Sequence, residues 1–141
     1  MKKMHLEAAK KNIGKVTEFV EEEMEEAGFP MKAIMQVSVA IDEILVNIAS
    51  YAYDGKQGDV TVKLDFEHGG KQLVLTFIDH GIPFDPLKAK DPDVTLPAEK
   101  RSIGGLGIYL VKKTMDGMEY RRDDGKNILT IRKNKSVKSI K

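Results

Sequence analysis

IMQVSVAIDEILVNIASYAYDGKQGDVTVKLDF, residues 34–66, changes its hydrophobic period in the middle. Ile34, Val37, Ile41, Leu45, Ile48 and Ala52 recur three and four apart, the spacing of one helix face, so a helix is expected from Pro30 to about Tyr53. Asp54-Gly55 supplies a turn. Beyond it Val60, Val62, Leu64 and Phe66 alternate with Thr61, Lys63 and Asp65, the pattern of a strand with one buried face. A helix with one apolar stripe followed by a strand with one apolar face is the composition of helices packed on a sheet.

The flanks extend that reading. Upstream, Ile13, Val16, Val20, Met24 and Ala27 keep helical spacing from about Ala8 to Gly28, a natural stop, and Met4 and Leu6 alternate as in a short first strand. Downstream, Leu73 to Ile78 is a continuous apolar run, hence a more buried strand, reached through a hairpin turn at His68-Gly69-Gly70-Lys71. The segment from Asp79 to Gly105 holds four of the five prolines and little periodicity, which marks a long functional loop. A helix is expected from Leu106 to about Met115, then strands Met118–Arg122 and Asn127–Arg132 joined at Asp123-Asp124-Gly125-Lys126. The sum is an α+β two-layer sandwich, with the helices on one face of a mostly antiparallel mixed sheet.

A chain of 141 residues suits one domain, read as residues 1–133. The basic run from Lys133 reads as a solvated end, with a disordered tail at 134–141. Hydrophobic residues at 41% and charged residues at 32% fit a soluble globular chain. Apolar runs such as Leu73 to Ile78 are too short for a bilayer and no signal segment opens the sequence, so a cytoplasmic location and no membrane role are expected. The absence of cysteine excludes a disulfide framework and a thiolate metal site. With 23 Lys and Arg against 22 Asp and Glu, the overall charge offers no argument for direct nucleic-acid binding. His5, His68 and His80 are dispersed and lack metal-ligand spacing, and Met24 and Met115 fall in helical stripes as core residues.

Three short motifs could carry chemistry. Glu43, Asn47 and Ser50 stand at i, i+4 and i+7, on the side of their helix away from Ile41, Leu45 and Ile48. A carboxylate and a carboxamide one turn apart suit a hydrated Mg²⁺ on a phosphate chain and a nucleophile awaiting deprotonation, though such a pair is more often a solvated helix face. Asp79-His80-Gly81 follows directly on the buried strand, where a carboxylate could accept the amino hydrogens of adenine and glycine would admit a close base; a plain strand-ending turn has the same form. Gly104-Gly105-Leu106-Gly107 opens a helix, exposing backbone N–H groups at its positive end as a phosphate site would require, although glycine-rich caps without ligands are common.

Taken in this order, helix Glu and Asn, then Asp-x-Gly after a strand, then a loop, then Gly-Gly-Leu-Gly on a helix, the motifs resemble those of the GHKL or Bergerat ATP-binding family from about residue 8 to residue 133. Within it the chain looks most like the stand-alone RsbW and SpoIIAB type of anti-sigma-factor serine/threonine kinase, through Val39-Ala40-Ile41-Asp42-Glu43-Ile44-Leu45-Val46-Asn47 with Tyr51-Ala52-Tyr53, and through Gly105-Leu106-Gly107-Ile108-Tyr109-Leu110-Val111 with Met115-Asp116. The resemblance implies ATP or ADP with Mg²⁺ as cofactors, a homodimer, and partners comprising a STAS-domain anti-anti-sigma protein phosphorylated on Ser or Thr and a sigma factor. By the same resemblance Glu43 is the general base and Asn47 the Mg²⁺ ligand. Asp79 reads adenine beside Gly81, and Gly104, Gly105, Leu106 and Gly107 line the phosphates. Asn127 stands where relatives place a base-holding Thr, Ser50-Tyr51 where many carry Lys or His, and the loop after Asp79 is richer in proline. Lys88, Lys90, Lys100 and Arg101 lie on what would be the ATP lid, with Arg101 nearest the glycines. Three functions stay open: a protein kinase, a nucleotide-gated binding switch without turnover, and a histidine-kinase fragment.

Overall fold

The computed structural model describes residues 1–88 and 105–136. Strand β1 spans Lys2–Glu7, and a short turn of helix leads into α1, Ile13–Glu26. Helix α2, Met31–Asn47, continues as one wider π turn, Ile48–Ala52. Strands β2, Asp59–Glu67, and β3, Gln72–Asp79, follow, then α3, Gly105–Thr114, and strands β4, Gly117–Asp123, and β5, Lys126–Asn134.

The element boundaries have local causes. Helix α1 stops because Gly28 adopts φ +82°, a left-handed conformation that costs glycine little. There the Gly28 N–H donates to Glu25 O and the Phe29 N–H to Met24 O, both at 3.0 Å, so a Schellman motif satisfies the last carbonyls while Phe29 and Met24 enter the core. The β4–β5 hairpin turns on Asp124 (φ 49°) and Gly125 (φ 75°), a two-residue turn whose twist matches the strands it joins.

The sheet order is β1-β2-β3-β5-β4 and every pairing is antiparallel. This corrects the expectation of a mixed sheet: hairpins make two of the joins, and the long connection from β3 through α3 returns the chain with β5 antiparallel to β3. Along β3 the inward row reads Leu73, Leu75, Phe77 and Asp79; opposite it on β5 stand Lys133, Ile131, Leu129 and Asn127. These apolar residues meet Val16, Val20 and Met24 of α1, Val37, Ile41 and Ile44 of α2, and Val111 of α3 in one core. The β5 row is therefore apolar in the middle and polar at both ends, and the β3 row ends polar at Asp79, so Asp79 and Asn127 make a polar pair at one edge of the core.

Two further expectations change. Residues Met31–Ala52 form 22 helical residues that contain an 18-residue window of mean hydropathy 1.5, long and apolar enough by those measures to cross a membrane, whereas the sequence reading found no such segment. Here the stripe of Ala33, Ile34, Val37, Ala40, Ile41, Ile44, Leu45 and Ile48 is buried in the core. Lys133, assigned to the solvated basic end, is 3% exposed and lies with Asn134 inside β5, because the strand's period of two carries it to the inward face. The tail reading for residues 137–141 lies outside the described residues.

Candidate functional site

The site is built where the inward rows of β3 and β5 end in polar residues. Asp79 and Asn127 are direct cross-strand partners, 4% and 6% exposed. A buried carboxylate requires compensating donors. Oδ1 of Asp79 has two, the Gly81 N–H and the Asn127 Nδ2–H, both at 2.9 Å, whereas Oδ2 accepts no bond among the described residues.

The loop beyond Asp79 is strapped to the end of α2. The Ile82 N–H donates to Ala52 O at 2.8 Å, and Gly81 lies so close that a Cβ there would overlap the Ala52 backbone. Tyr53 closes the other side: its hydroxyl accepts the His80 N–H at 2.9 Å and donates to Asp59 O, and its ring packs where any side chain at Gly58 would stand. Burial, foremost, and then the nearby Asp79 and Asp59 carboxylates hold the Tyr53 phenol above its ordinary pKa, which keeps its proton for that bond. The π turn of Ile48–Ala52 is the segment that meets Gly81, and such turns recur at functional sites because they re-aim a helix end.

The second part of the site lies just upstream, over the last two turns of α2. Glu43 and Asn47 share a helix side and are half-buried; neither makes a hydrogen bond or ion pair among the described residues. Gly107, in the first turn of α3, rests directly on the Glu43 carboxylate: a Cβ at Gly107 would overlap Oε2 and Cδ of Glu43. From Glu43 to Ala52 the helix covers nine residues, roughly 13 Å at the rise of a helix. Over its C-terminal turns the helix thus meets the Asp79–Gly81 loop at Ala52 and, earlier, sets beneath α3's first turn a carboxylate that has no partner among the described residues.

A substitution tests that second contact. In Gly107→Ala the clash is with the flexible end of Glu43, so the fold should survive with a Tm within a few degrees of the parent. The carboxylate should be displaced, and any activity that uses it should fall by about tenfold or more. Thermal melts run beside the phosphotransfer assay described below separate the two effects; an active Gly107→Ala protein would show that this contact has no role.

Of the residues anticipated from sequence, Glu43, Asn47, Gly107, Asp79, Gly81 and Asn127 stand around α2 and the ends of β3 and β5 as described. Gly105 and Leu106 begin α3. Arg101, Gly104, Lys90 and Lys100, and with them most of the lid, lie outside the described residues, whereas Lys88 ends a short 3-10 turn, Pro86–Lys88, and is exposed. Ser50 falls in the π turn rather than on a continued α-helical face. Sequence reasoning missed the supporting roles of Tyr120 and Arg122, both of which reach Asn127, and of Tyr53. The signal was present for Asn127: in the alternation Asn127, Leu129, Ile131, Lys133 it occupies an inward position.

Comparisons with known proteins bear on the family and the fold. The sequence pattern of the histidine kinase-like ATPase domain matches residues 6–133. The chain is 31% identical over 106 residues to the serine-protein kinase RsbW of Bacillus cereus strain B4264, covering 72% of this chain and 65% of that protein. It is 32% identical over 109 residues to the protein of the same name from Listeria monocytogenes, covering 73% and 68%. The chain therefore spans just under two thirds of the Bacillus relative's length. Among solved structures, the RsbU and RsbW domains of a Mycobacterium tuberculosis protein superpose with a TM-score of 0.61 at 16% identity, covering 95% of this chain and 32% of that one. The histidine kinase domain of a blue-light activated kinase from Erythrobacter litoralis gives 0.56 at 17% identity, covering 89% and 60%. These likenesses share the fold, and with the sequence match they establish that the chain belongs to the GHKL-type, histidine kinase-like ATPase family.

Proposed function

We propose that the protein binds Mg-ATP along α2 and phosphorylates a STAS-domain protein on Ser or Thr. The observation that carries the transfer step is the Glu43 carboxylate, without a hydrogen bond or ion pair among the described residues, against Gly107 in the first turn of α3. A carboxylate in that place is free to take the proton of an incoming hydroxyl, and the helix start beside it supplies N–H donors for phosphate oxygens. The residues fit the nucleotide: among the described residues Asp79 Oδ2 accepts no bond and is open to an adenine amino group, Gly81 leaves no side chain over it, and Asn47 offers Mg²⁺ an amide oxygen that no described residue holds. When bound, Mg-ATP supplies the transferable phosphoryl group. Gly104, Gly105, Leu106, Gly107 and Arg101 complete the reading as phosphate-side residues. The RsbW-named relatives support the same class of reaction, and the reading extends to a homodimer that also holds a sigma factor, in the cytoplasm.

The test uses the purified chain with labelled ATP and the STAS proteins of its own genome, following label on Ser or Thr. Calorimetry gives the binding half: ATP and ADP with Mg²⁺ should bind in preference to GTP, and Asp79→Asn should weaken ATP by about 100-fold, because an amide in place of a buried acceptor loses a charge-assisted bond. Equal affinity for GTP, or no binding of adenine nucleotides, would sink this reading.

A further inference from the structure

Asn127 makes a set of bonds that a residue in contact with a ligand does not need. Both hydrogens of its amide nitrogen are committed, one to Asp79 Oδ1 at 2.9 Å and one to Ile82 O at 2.8 Å. Its amide oxygen accepts from the Tyr120 hydroxyl, from Arg122 Nη1 at 3.2 Å and from the Phe84 N–H at 3.4 Å. The orientation of the amide is unambiguous, because Ile82 O can only accept while Arg122 Nη1 and the Phe84 N–H can only donate. Arg122 Nη1 also donates to Gly81 O at 2.8 Å, so one guanidinium ties the loop residue beside Asp79 to the amide that holds Asp79. Every polar atom of the Asn127 side chain is thus occupied by protein, and its reach toward a nucleotide goes through another residue.

We propose that Asn127, held by Tyr120 and Arg122, is the positioning residue that sets adenine specificity, by occupying Oδ1 of Asp79 and leaving Oδ2 as the sole acceptor for the base. This rests on the nucleotide reading above and names the device that enforces it. A carboxylate with one oxygen held by two N–H donors cannot rotate freely, so its other oxygen keeps one direction. A base with an amino group at position 6 donates to that oxygen. A base with a carbonyl there meets acceptor with acceptor, and the fixed carboxylate cannot turn away. Without the Asn127 amide, Asp79 retains only the Gly81 N–H, the loop from Gly81 to Phe84 loses two of its ties, and the acceptor loses its fixed direction. Discrimination should then fall more than general nucleotide affinity.

The experiment compares ATP, ITP (carbonyl at position 6) and purine riboside triphosphate (hydrogen at position 6) by calorimetry. The proteins are the parent, Asn127→Leu, which keeps the side-chain shape and removes its polarity, and Arg122→Met, which alters an exposed residue and therefore guards against misfolding. In the parent ATP should bind far more tightly than ITP. In Asn127→Leu the ITP-to-ATP ratio of Kd should fall by about tenfold, one well-placed hydrogen bond's worth, with purine riboside triphosphate changed little. In Arg122→Met the ratio should fall by about threefold, since Tyr120 still holds the amide. Parallel weakening of all three nucleotides with an unchanged ratio would assign Asn127 a purely structural role and overturn this inference alone. A parent that prefers ATP while both variants keep its ratio has the same meaning. A parent that binds none of the three overturns the nucleotide reading and this inference with it.

Discussion

Glu43→Gln is expected to bind ATP within about threefold of the parent and to lose phosphotransfer to a STAS partner by about 100-fold to 10,000-fold, the usual contribution of a positioned general base. The change keeps the side chain's size and its contact with Gly107 and removes only the negative charge and the basicity. Glu43 makes no ion pair among the described residues, so no protein partner is stranded by its neutralisation and the fold should be unaffected. Asn47→Ala is the companion: one turn along α2, it should lose Mg²⁺-dependent affinity as well as transfer. Single-turnover transfer from labelled ATP checks both. A Glu43→Gln protein that transfers as fast as the parent would show that Glu43 is not the base. A parent that labels no partner, yet grips one differently in ATP and ADP, would make the chain a nucleotide-gated switch without turnover.

The largest effect on stability is expected at Lys133. Its ammonium is buried under the end of α3, donating to Thr114 O at 2.6 Å with Asp116 Oδ2 at 3.8 Å. The same Oδ2 accepts the Asn134 N–H at 2.7 Å, so strand β5, the turn before β4 and the last carbonyls of α3 meet on one pair of charges. A cation at a helix C-terminus is also favoured by the helix dipole. Lys133→Met should cost about 3–5 kcal/mol, because it removes a buried ammonium that donates to Thr114 O and faces the buried Asp116 carboxylate. For a domain of this size that is a fall in Tm of roughly 10–15 °C. Adding Asp116→Asn removes the carboxylate charge that Lys133 faced while keeping an acceptor for the Asn134 N–H, and should restore part of the loss. Denaturant titration of the three proteins measures it; a Lys133→Met midpoint equal to the parent's would mean that the pair contributes nothing.

How the site came to be legible follows from the kind of information each residue carries. The Glu43 and Asn47 side of α2 was readable because helical periodicity separates it from the Ile41, Leu45 and Ile48 stripe, and the structure keeps that separation. The Asp-Gly turns and the Gly28 stop were readable because few residues tolerate a positive φ. Lys133 was misread because basic composition was allowed to outweigh strand alternation: the three lysines and two serines that follow it resemble a solvated tail, but the period of two that places Leu129 and Ile131 inside places Lys133 there too. The wider turn after Asn47 had no sequence mark, since Ile48 and Ala52 fit a continued α-helix equally well.

The sequence by itself determined the element types, their order, the inward faces of helices and strands, and the three motifs that point to a nucleotide. These are local properties, set by spacing along the chain and by the conformational limits of glycine and proline. Only the tertiary structure decided that the sheet is antiparallel throughout, that Asn127 stands across from Asp79 at a separation of 48 residues, that Ala52 touches Gly81 and Glu43 touches Gly107, and that Arg122 reaches back to Gly81 O. The reason is physical: periodicity says which face of an element is buried, but strand register and helix contacts are chosen by the packing of all inward side chains together. A pairing across 48 residues has no trace in the spacing of either partner.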